Sequence, residues 1–302
     1  MSRYTVDPDE IFDRDICTET ADDFVERVRG KGVSHYAVQT IYSGEWAEVK
    51  IFPCWKSKGN APKKKPPNED AKKRYNHKVA VDRLTRILNH NFKPGKDLFY
   101  TFTFDDAHCV ETAEEGFALA DKGIKRIKYR YKKAGIELKA VYKVEIKRAK
   151  NSKSKYLFTA DGRPLYRSHL HIVMNGGVDH RELMKAWKIG KTKRIEVLRW
   201  DPEGFYKLAK YLCKDTKEGK RKWNSTFNLS KPQQPKTNYS GKSSSKRKIA
   251  EVAVQTGLQK EYFEQILPEY AFAQSEVAFR EFGDGCYIHA RMYKKEVKNI
   301  RK

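Results

Sequence analysis

The sequence predicts an α+β protein built on a central antiparallel β-sheet that is flanked by helices. Apolar residues alternate with polar ones over 98–104 and again over 138–147, which is typical of half-buried strands. The polar stretch 148–166 then leads to a third apolar segment, 167–174. That stretch has no room for a helical crossover with its turns, so we expect these strands to run antiparallel.

Helical segments lie between and after the predicted strands. Apolar spacing of three and four residues predicts a helix over about 76–90. Thr112 and Glu115 form the T-x-x-E pattern of a capping box, and Gly135 ends the helix that follows. Asp201, followed by proline, predicts the start of another helix that runs to about 214–217.

Composition divides the chain into three predicted segments. The first, 1–75, ends in a Pro- and Lys-rich linker and has no assigned role. The second, 76–232, carries the motifs described below. The third, 233–302, begins as a basic linker and continues as a helix (257–268) and one or two strands (273–293) that pack on the core.

The charge of the chain indicates a polyanionic partner. The 302 residues include 63 Lys and Arg against 39 Asp and Glu, a net charge of +24, and 12% are aromatic. Cations interspersed with aromatic rings suit single-stranded nucleic acid. No apolar run approaches the roughly 18 residues of a membrane span, and the polar N-terminus is unlike a secretory signal. The five scattered cysteines include no C-x-x-C pair, so we expect a cytoplasmic protein without a disulfide framework.

Two histidines on one predicted strand form the sharpest local signal. His169 and His171 are two residues apart, so they face the same way and can share a divalent metal. Glu145, on the preceding strand, can face them if the two strands pair, which gives a ligand set suited to Mg²⁺ or Mn²⁺. On residue chemistry alone, the histidines could also decorate a solvated face, and Glu145 could only neutralise Lys143 and Lys147.

The helix over 205–214 offers a nucleophile. Tyr211 lies next to Lys207 and Lys214 on the helix surface, and a phenol can attack a phosphodiester that a metal polarises. The lysines one turn away can steady the phosphate. Tyr206 lies on the other side of the buried stripe, so the two tyrosines do not face one site. Taken without the histidine pair, the pattern indicates only an amphipathic helix that exposes tyrosines and lysines at the surface.

The order of three motifs resembles the HUH endonuclease superfamily. The motifs are the strand Tyr100–Phe104, the His169-Leu170-His171 pair, and Tyr211 with Lys214 three residues later. The chain is most similar to the rolling-circle replication proteins of single-stranded DNA phages and of Gram-positive plasmids and mobile elements. The resemblance covers about 76–232 well and 260–293 loosely.

This resemblance implies an activity and a role for each site residue. Tyr211 would cut single-stranded DNA at a replication origin, keep the 5′ phosphate as a phosphotyrosine and leave a 3′ hydroxyl. His169, His171 and Glu145 would hold the metal, and Lys214 would match the lysine of the tyrosine motif. Some relatives carry a second tyrosine where this chain has Lys207, so we expect a single-tyrosine enzyme.

DNA contacts are expected from a further set of basic and aromatic residues: Lys207, Lys210, Arg167, Arg221, Lys222 and Trp223. Gly241-Lys242-Ser243 resembles the end of a P-loop, but the glycine that motif requires is replaced by Lys236. We therefore expect no ATP binding and a separate helicase for unwinding.

Three alternatives remain open at this point. The first is a non-catalytic basic protein that binds single-stranded DNA or RNA through its lysines and through Trp223 or Tyr239. The second is an HUH relaxase or transposase that acts in mobilisation rather than replication. The third is a two-histidine phosphoesterase of RNA ends, which normally repeats its H-x-H motif, whereas this sequence contains the motif once.

Overall fold

A computed structural model of the chain describes residues 4–5, 32–56, 69–108, 110–151, 153, 155–158, 162, 164–166, 168–214, 223–240, 245–279 and 285–295. The chain divides into two compact units. Unit 1 comprises Met1–His90, Asp201–Ala209 and Lys231–Lys302, and unit 2 comprises Asn91–Trp200 and Lys210–Ser230.

The described elements are, in chain order, β1 (Tyr4–Thr5), β2 (Val33–Ser43), β3 (Trp46–Trp55), α1 (Glu69–Asn91), β4 (Leu98–Thr103), a short 3-10 turn (Asp106–His108), α2 (Ala113–Lys133), β5 (Ala140–Glu145), β6 (His169–Met174), α3 (His180–Ala186), β7 (Thr192–Val197), α4 (Tyr206–Cys213), β8 (Asn224–Ser225), β9 (Lys236–Asn238), α5 (Lys246–Val254), α6 (Thr256–Ile266), β10 (Tyr270–Phe279) and β11 (Cys286–Lys294). Helix α4 runs across the division between the units at residue 209.

Unit 1 contains an antiparallel sheet in the order β10-β11-β3-β2-β9, with β1 paired to the end of β3. One face of β3 carries Val49 and Ile51, which are buried in one core with Phe263 of α6. The alternate residues of β3 are also buried, and Glu48 accepts two hydrogen bonds from Arg86 of α1 at 2.9 and 2.7 Å. Both faces of β3 are therefore covered. One is covered by apolar contacts, and the other carries the charge pair at Glu48 and an apolar cluster around Phe52 and Cys54.

Unit 2 contains a second antiparallel sheet, in the order β7-β4-β6-β5-β8. Its apolar face includes Tyr100 and Leu170, which share a core with residues of α2 and α3. Gly123 of α2 allows a close approach, since a Cβ there would lie 2.3 Å from the Trp187 ring. Because side chains alternate along a strand, the opposite face of this sheet carries the histidine pair.

The predicted fold class is confirmed: the protein is α+β, with antiparallel sheets and helices packed against them. The strands predicted over 98–104, 138–147 and 167–174 are β4, β5 and β6. The capping box of Thr112 and Glu115 is also confirmed, with both of its reciprocal hydrogen bonds. The prediction of a single central sheet was incomplete, because the described residues form two sheets.

The helix predicted to start at Asp201 begins later, at Tyr206. The Asp201 carboxylate does accept a hydrogen bond from the Glu203 backbone at 2.9 Å, as an N-cap would. Gly204, however, has φ +66°, a left-handed conformation that interrupts the helical path. The predicted cap therefore closes a turn that precedes the helix.

The predicted segment boundaries at 75 and 232 differ from the observed division. Strands β2 and β3 of the N-terminal segment form a sheet with β10 and β11, since Val49 lies opposite Ala290. The stretch 69–74, predicted as linker, is the start of α1. The segment from 233, predicted to begin as a basic linker, contains β9 and then α5, which Ser245 caps.

Among the helices that the structure describes, none combines the length and the apolar character needed to cross a bilayer.

Candidate active site around His171

His171 is held in one orientation by side chains of β4. It is 5% exposed, and its Nδ1 lies 3.1 Å from the Thr101 hydroxyl, across the β4–β6 pairing. The Phe99 ring, on the same face of β4, is stacked on the imidazole with 5.9 Å between centroids and 5° between planes. Because Nδ1 faces Thr101, Nε2 is the ring nitrogen that can contact other groups.

Nε2 of His171 faces two further functional groups. Glu145 Oε2 lies 3.1 Å away and the Tyr211 hydroxyl 3.3 Å away. The Tyr211 ring meets the imidazole edge-on, with 5.2 Å between centroids, and Tyr211 is 48% exposed. A carboxylate, an imidazole and an accessible phenol therefore meet at one point of unit 2.

The pairing of β5 with β6 brings the carboxylate to this place. Glu145 lies opposite His169 and Lys143 lies opposite His171 in the register. The hairpin expected from the sequence is therefore present, and Glu145 faces the histidine pair. The alternative in which Glu145 only neutralises lysines is incomplete, because its carboxylate is hydrogen-bonded to His171.

Burial and nearby charges set the protonation states of the cluster. Burial raises the pKa of Glu145, but the hydrogen bond and charge of His171 and two lysine charges outweigh it and bring that pKa below its ordinary value. Burial lowers the pKa of both His169 and His171, and the Lys193 charge adds to this. Near neutral pH the carboxylate is charged and the imidazoles are neutral, which are the forms that bind cations.

The Tyr211 phenol is protonated at neutral pH. Burial raises its pKa, and the Glu145 carboxylate raises it further, against a smaller opposing effect of Arg194. A phenol in this state becomes a good nucleophile only near a positive charge or as its proton is lost.

Lys143 supports the end of the tyrosine helix. This side chain is 7% exposed, and its Nζ donates a hydrogen bond to the backbone carbonyl of Lys214, at the C-terminal end of α4. A cation is favourable there because the last carbonyls of a helix are unpaired and carry partial negative charge. The bond ties β5 to the turn that carries Tyr211.

The donor types of the cluster fit a divalent cation. Nδ1 of His169 is buried and has no hydrogen-bond partner within the described ranges, so the structure gives no hydrogen bond that would compete with a cation for this nitrogen. The His169 and His171 rings lie side by side with 6.3 Å between centroids. Among the described residues, no group of three or more His, Cys, Asp or Glu side chains is arranged to hold a metal ion. Side chains of the right type for a divalent cation therefore lie near one another, but their nitrogen and oxygen atoms do not surround a single point.

The second tyrosine of α4 lies in a different environment. The Tyr206 ring contacts the Arg291 guanidinium, 3.6 Å from the ring centroid, within unit 1. Tyr206 and Tyr211 are five residues apart, so they point about 140° away from each other around the helix. Of these two tyrosines, Tyr211 is the one that contacts His171. The two rings do not face one site, as the helical spacing predicts.

The residues predicted to contact DNA are placed unevenly. The Lys207 side chain is 69% exposed and pairs with Asp201 at 2.8 Å and Glu203 at 3.6 Å. Lys210 and Lys214 are exposed, and Trp223 is partly buried. Arg167, Arg221 and Lys222 lie outside the described residues. The DNA contacts of all these residues stay predictions.

Three supporting residues were missed from the sequence: Phe99, Thr101 and Lys143. The alternation of β4 already put Thr101 on the face opposite the apolar core, so its side was predictable. The contact of Thr101 with His171 was not predictable, because it depends on the register in which β4 pairs with β6.

In comparisons with known proteins, no protein-family model, curated protein or solved structure matches this chain.

Proposed function

We propose that this protein is a DNA endonuclease that nicks single-stranded DNA at a replication origin and so initiates rolling-circle replication. The observation that supports this best is the contact of the Tyr211 hydroxyl with His171 Nε2 at 3.3 Å, beside Glu145 at 3.1 Å from the same nitrogen. The replication role rests on the resemblance of the three motifs. The protein would act in the cytoplasm together with a separate helicase, and it would bind no ATP itself.

In this proposal the Tyr211 oxygen attacks the phosphorus of the scissile phosphodiester. The phosphorus–tyrosine bond forms while the bond to the 3′ oxygen breaks, and that oxygen takes up a proton to become the 3′ hydroxyl. Since Tyr211 is half exposed, its own proton can leave to water. The products are a 5′-phosphotyrosine and a free primer end.

His169, His171 and Glu145 would hold the divalent cation, Mg²⁺ or Mn²⁺. When bound, it would supply positive charge that polarises the phosphate and favours the phenolate. Thr101 and Phe99 keep the His171 ring in place for this task. Lys143 holds the helix end that presents the nucleophile, and the exposed Lys214 would steady the phosphate.

The test is a denaturing-gel assay for a covalent adduct. The full-length protein would be mixed with Mn²⁺ and labelled single-stranded oligonucleotides that tile the origin region of its replicon. We expect a slow-migrating adduct with the wild type that disappears with Tyr211→Phe and with EDTA. The matched control is Tyr206→Phe, on the same helix, which keeps its ring against Arg291 and should form the adduct normally.

Two results would contradict the proposal. An adduct that persists with Tyr211→Phe would show that another residue is the nucleophile. DNA binding without any adduct, over all oligonucleotides, would favour the non-catalytic alternative.

A further inference from the structure

Described residues of the chain between β5 and β6 form a small antiparallel ribbon. Isolated bridges join Arg148 to Tyr166, Lys150 to Tyr156 and Phe158 to Pro164. Backbone hydrogen bonds from Leu157 to Ala149, at 2.9 Å, and from Leu165 to Leu157, at 3.1 Å, hold the three segments together. The described residues of the ribbon are thus held in pairs that present their side chains.

Four side chains of this ribbon alternate aromatic rings with cations, and we call them the ribbon face: Arg148, Lys150, Tyr156 and Phe158. The Arg148 guanidinium lies 4.4 Å from the Tyr156 ring centroid and 5.4 Å from that of Phe158. Lys150 Nζ lies 4.7 Å from the Tyr156 centroid. Tyr156 and Phe158 are 49% and 58% exposed, so both rings are open to a ligand.

The cations of the ribbon face contact aromatic rings. Within the part of the chain that the structure describes, neither Arg148 nor Lys150 pairs with a carboxylate, and Nε of Arg148 is buried without a hydrogen-bond partner. An anionic ligand with flat apolar surfaces satisfies both the charges and the rings. Unpaired nucleotides have this chemistry, because every base offers a π-face and every linkage a phosphate.

The ribbon face is close to the site along the chain. Arg148 follows Glu145 by three residues and Tyr166 precedes His169 by three. Three residues span at most about 11 Å. A strand of DNA whose phosphate lies at the His171 cluster can therefore reach the ribbon with its neighbouring nucleotides.

We propose that the ribbon face binds unpaired bases of the DNA beside the scissile phosphate. Tyr156 and Phe158 stack on the bases, and Arg148 and Lys150 contact the flanking phosphates. The position beside the scissile phosphate rests on the proposed function, whereas the binding of single-stranded DNA does not require cleavage.

The test measures binding with cleavage switched off. Each variant carries Tyr211→Phe, and fluorescence anisotropy gives Kd for labelled single-stranded origin oligonucleotides at one fixed salt concentration. We expect the double variant Tyr156→Ala, Phe158→Ala to raise Kd by about tenfold or more, since one stacked base is lost per ring. The conservative variant Tyr156→Phe should bind within about twofold of the parent, because it keeps the ring.

Tyr129 provides a matched control. It is 56% exposed, Lys133 lies 5.4 Å from its ring, and it belongs to α2, which packs on the sheet face opposite His171. Tyr129→Ala should leave Kd within about twofold of the parent, since an exposed ring outside the binding path stacks on no base. Circular dichroism melts would show that every variant is folded.

A second readout identifies the bases as the ligand. Abasic sites placed one to three nucleotides from the nick should weaken binding to the parent but have little further effect on the double variant. An unchanged Kd for the double variant, or an equal loss with Tyr129→Ala, would overturn the inference. If the double variant loses affinity while the wild type never forms an adduct, the ribbon face stands and the nicking proposal fails.

Discussion

Replacing Thr101 with valine tests how the sheet orients His171. Valine keeps the shape of threonine but removes the hydroxyl that lies 3.1 Å from Nδ1. Thr101 and His171 are only 6% and 5% exposed, so water cannot replace the lost partner. A buried nitrogen left unsatisfied costs about 1–3 kcal/mol. We expect urea unfolding of Thr101→Val to show a loss of this size.

The same change should weaken the proposed cation site. A hydroxyl can donate to Nδ1 or accept from it. When Thr101 donates, Nε2 carries the proton and donates to Glu145; when Thr101 accepts, the Nε2 lone pair is free for a cation. Removing a group that orients a ligand histidine typically costs about 10–100-fold in metal affinity or activity. The assay is the Mn²⁺ concentration that gives half-maximal adduct formation, which should rise by that factor.

Thr103→Val is the matched control for this prediction. Thr103 lies two residues along the same face, and its hydroxyl donates to the Lys191 carbonyl at 3.0 Å. This variant should lose about 0.5–1.5 kcal/mol of stability and keep its Mn²⁺ dependence. If both variants show the same Mn²⁺ dependence, the reasoning that Thr101 orients His171 is wrong.

Two further predictions concern stability in other parts of the chain. Gly204→Ala should lower the free energy of unfolding by roughly 2–4 kcal/mol, because it puts alanine in a left-handed backbone conformation and places a Cβ 2.5 Å from Asn89 Oδ1. That Oδ1 accepts a hydrogen bond from the Phe205 backbone N–H, which the new Cβ disturbs. Gly135→Ala, at φ +70° with open space around it, should cost only the backbone part of about 1–2 kcal/mol, and equal losses in urea unfolding would contradict the clash. Burial raises the pKa of Glu276, but the charge and hydrogen bond of Arg291, 2.9 Å away, have the larger effect and lower that pKa from 4.5 to about 2. The unfolded state then binds the proton more tightly, so this stabilisation is complete above pH 4.5 and lost as the pH falls towards 2. Glu276→Gln should flatten the stability curve in that window, and parallel curves for the variant and the wild type would argue against the ion pair.

Much of unit 2 could be predicted from local patterns. The strands β4, β5 and β6 follow from alternation, and α2 is bounded by the capping box of Thr112 and by Gly135. The common face of His169 and His171 follows from the two-residue period of a strand. These features depend on neighbours within a few residues, which the sequence displays directly.

Much of unit 1 was not predicted, for a physical reason that β3 illustrates. Val49 and Ile51 alternate with Glu48 and Lys50, a pattern that suggests a strand with one solvated face. The charged residues are nevertheless buried, because Glu48 pairs with Arg86 of α1 and with His289 of β11 at 2.9 Å. These partners lie 38 and 241 residues away, beyond any local pattern.

The candidate site divides in the same way. The sequence by itself determined that two histidines share a strand face, that Glu145 lies on the preceding strand and that Tyr211 lies on a helix, because each depends on a local period. Only the tertiary structure decided that the Thr101 hydroxyl meets Nδ1 of His171 and that Tyr211 meets Nε2, across 70 and 40 residues. Such contacts depend on the register in which strands pair and on how a helix packs. That register is set by the burial of the whole sheet face rather than by the residues of any one segment.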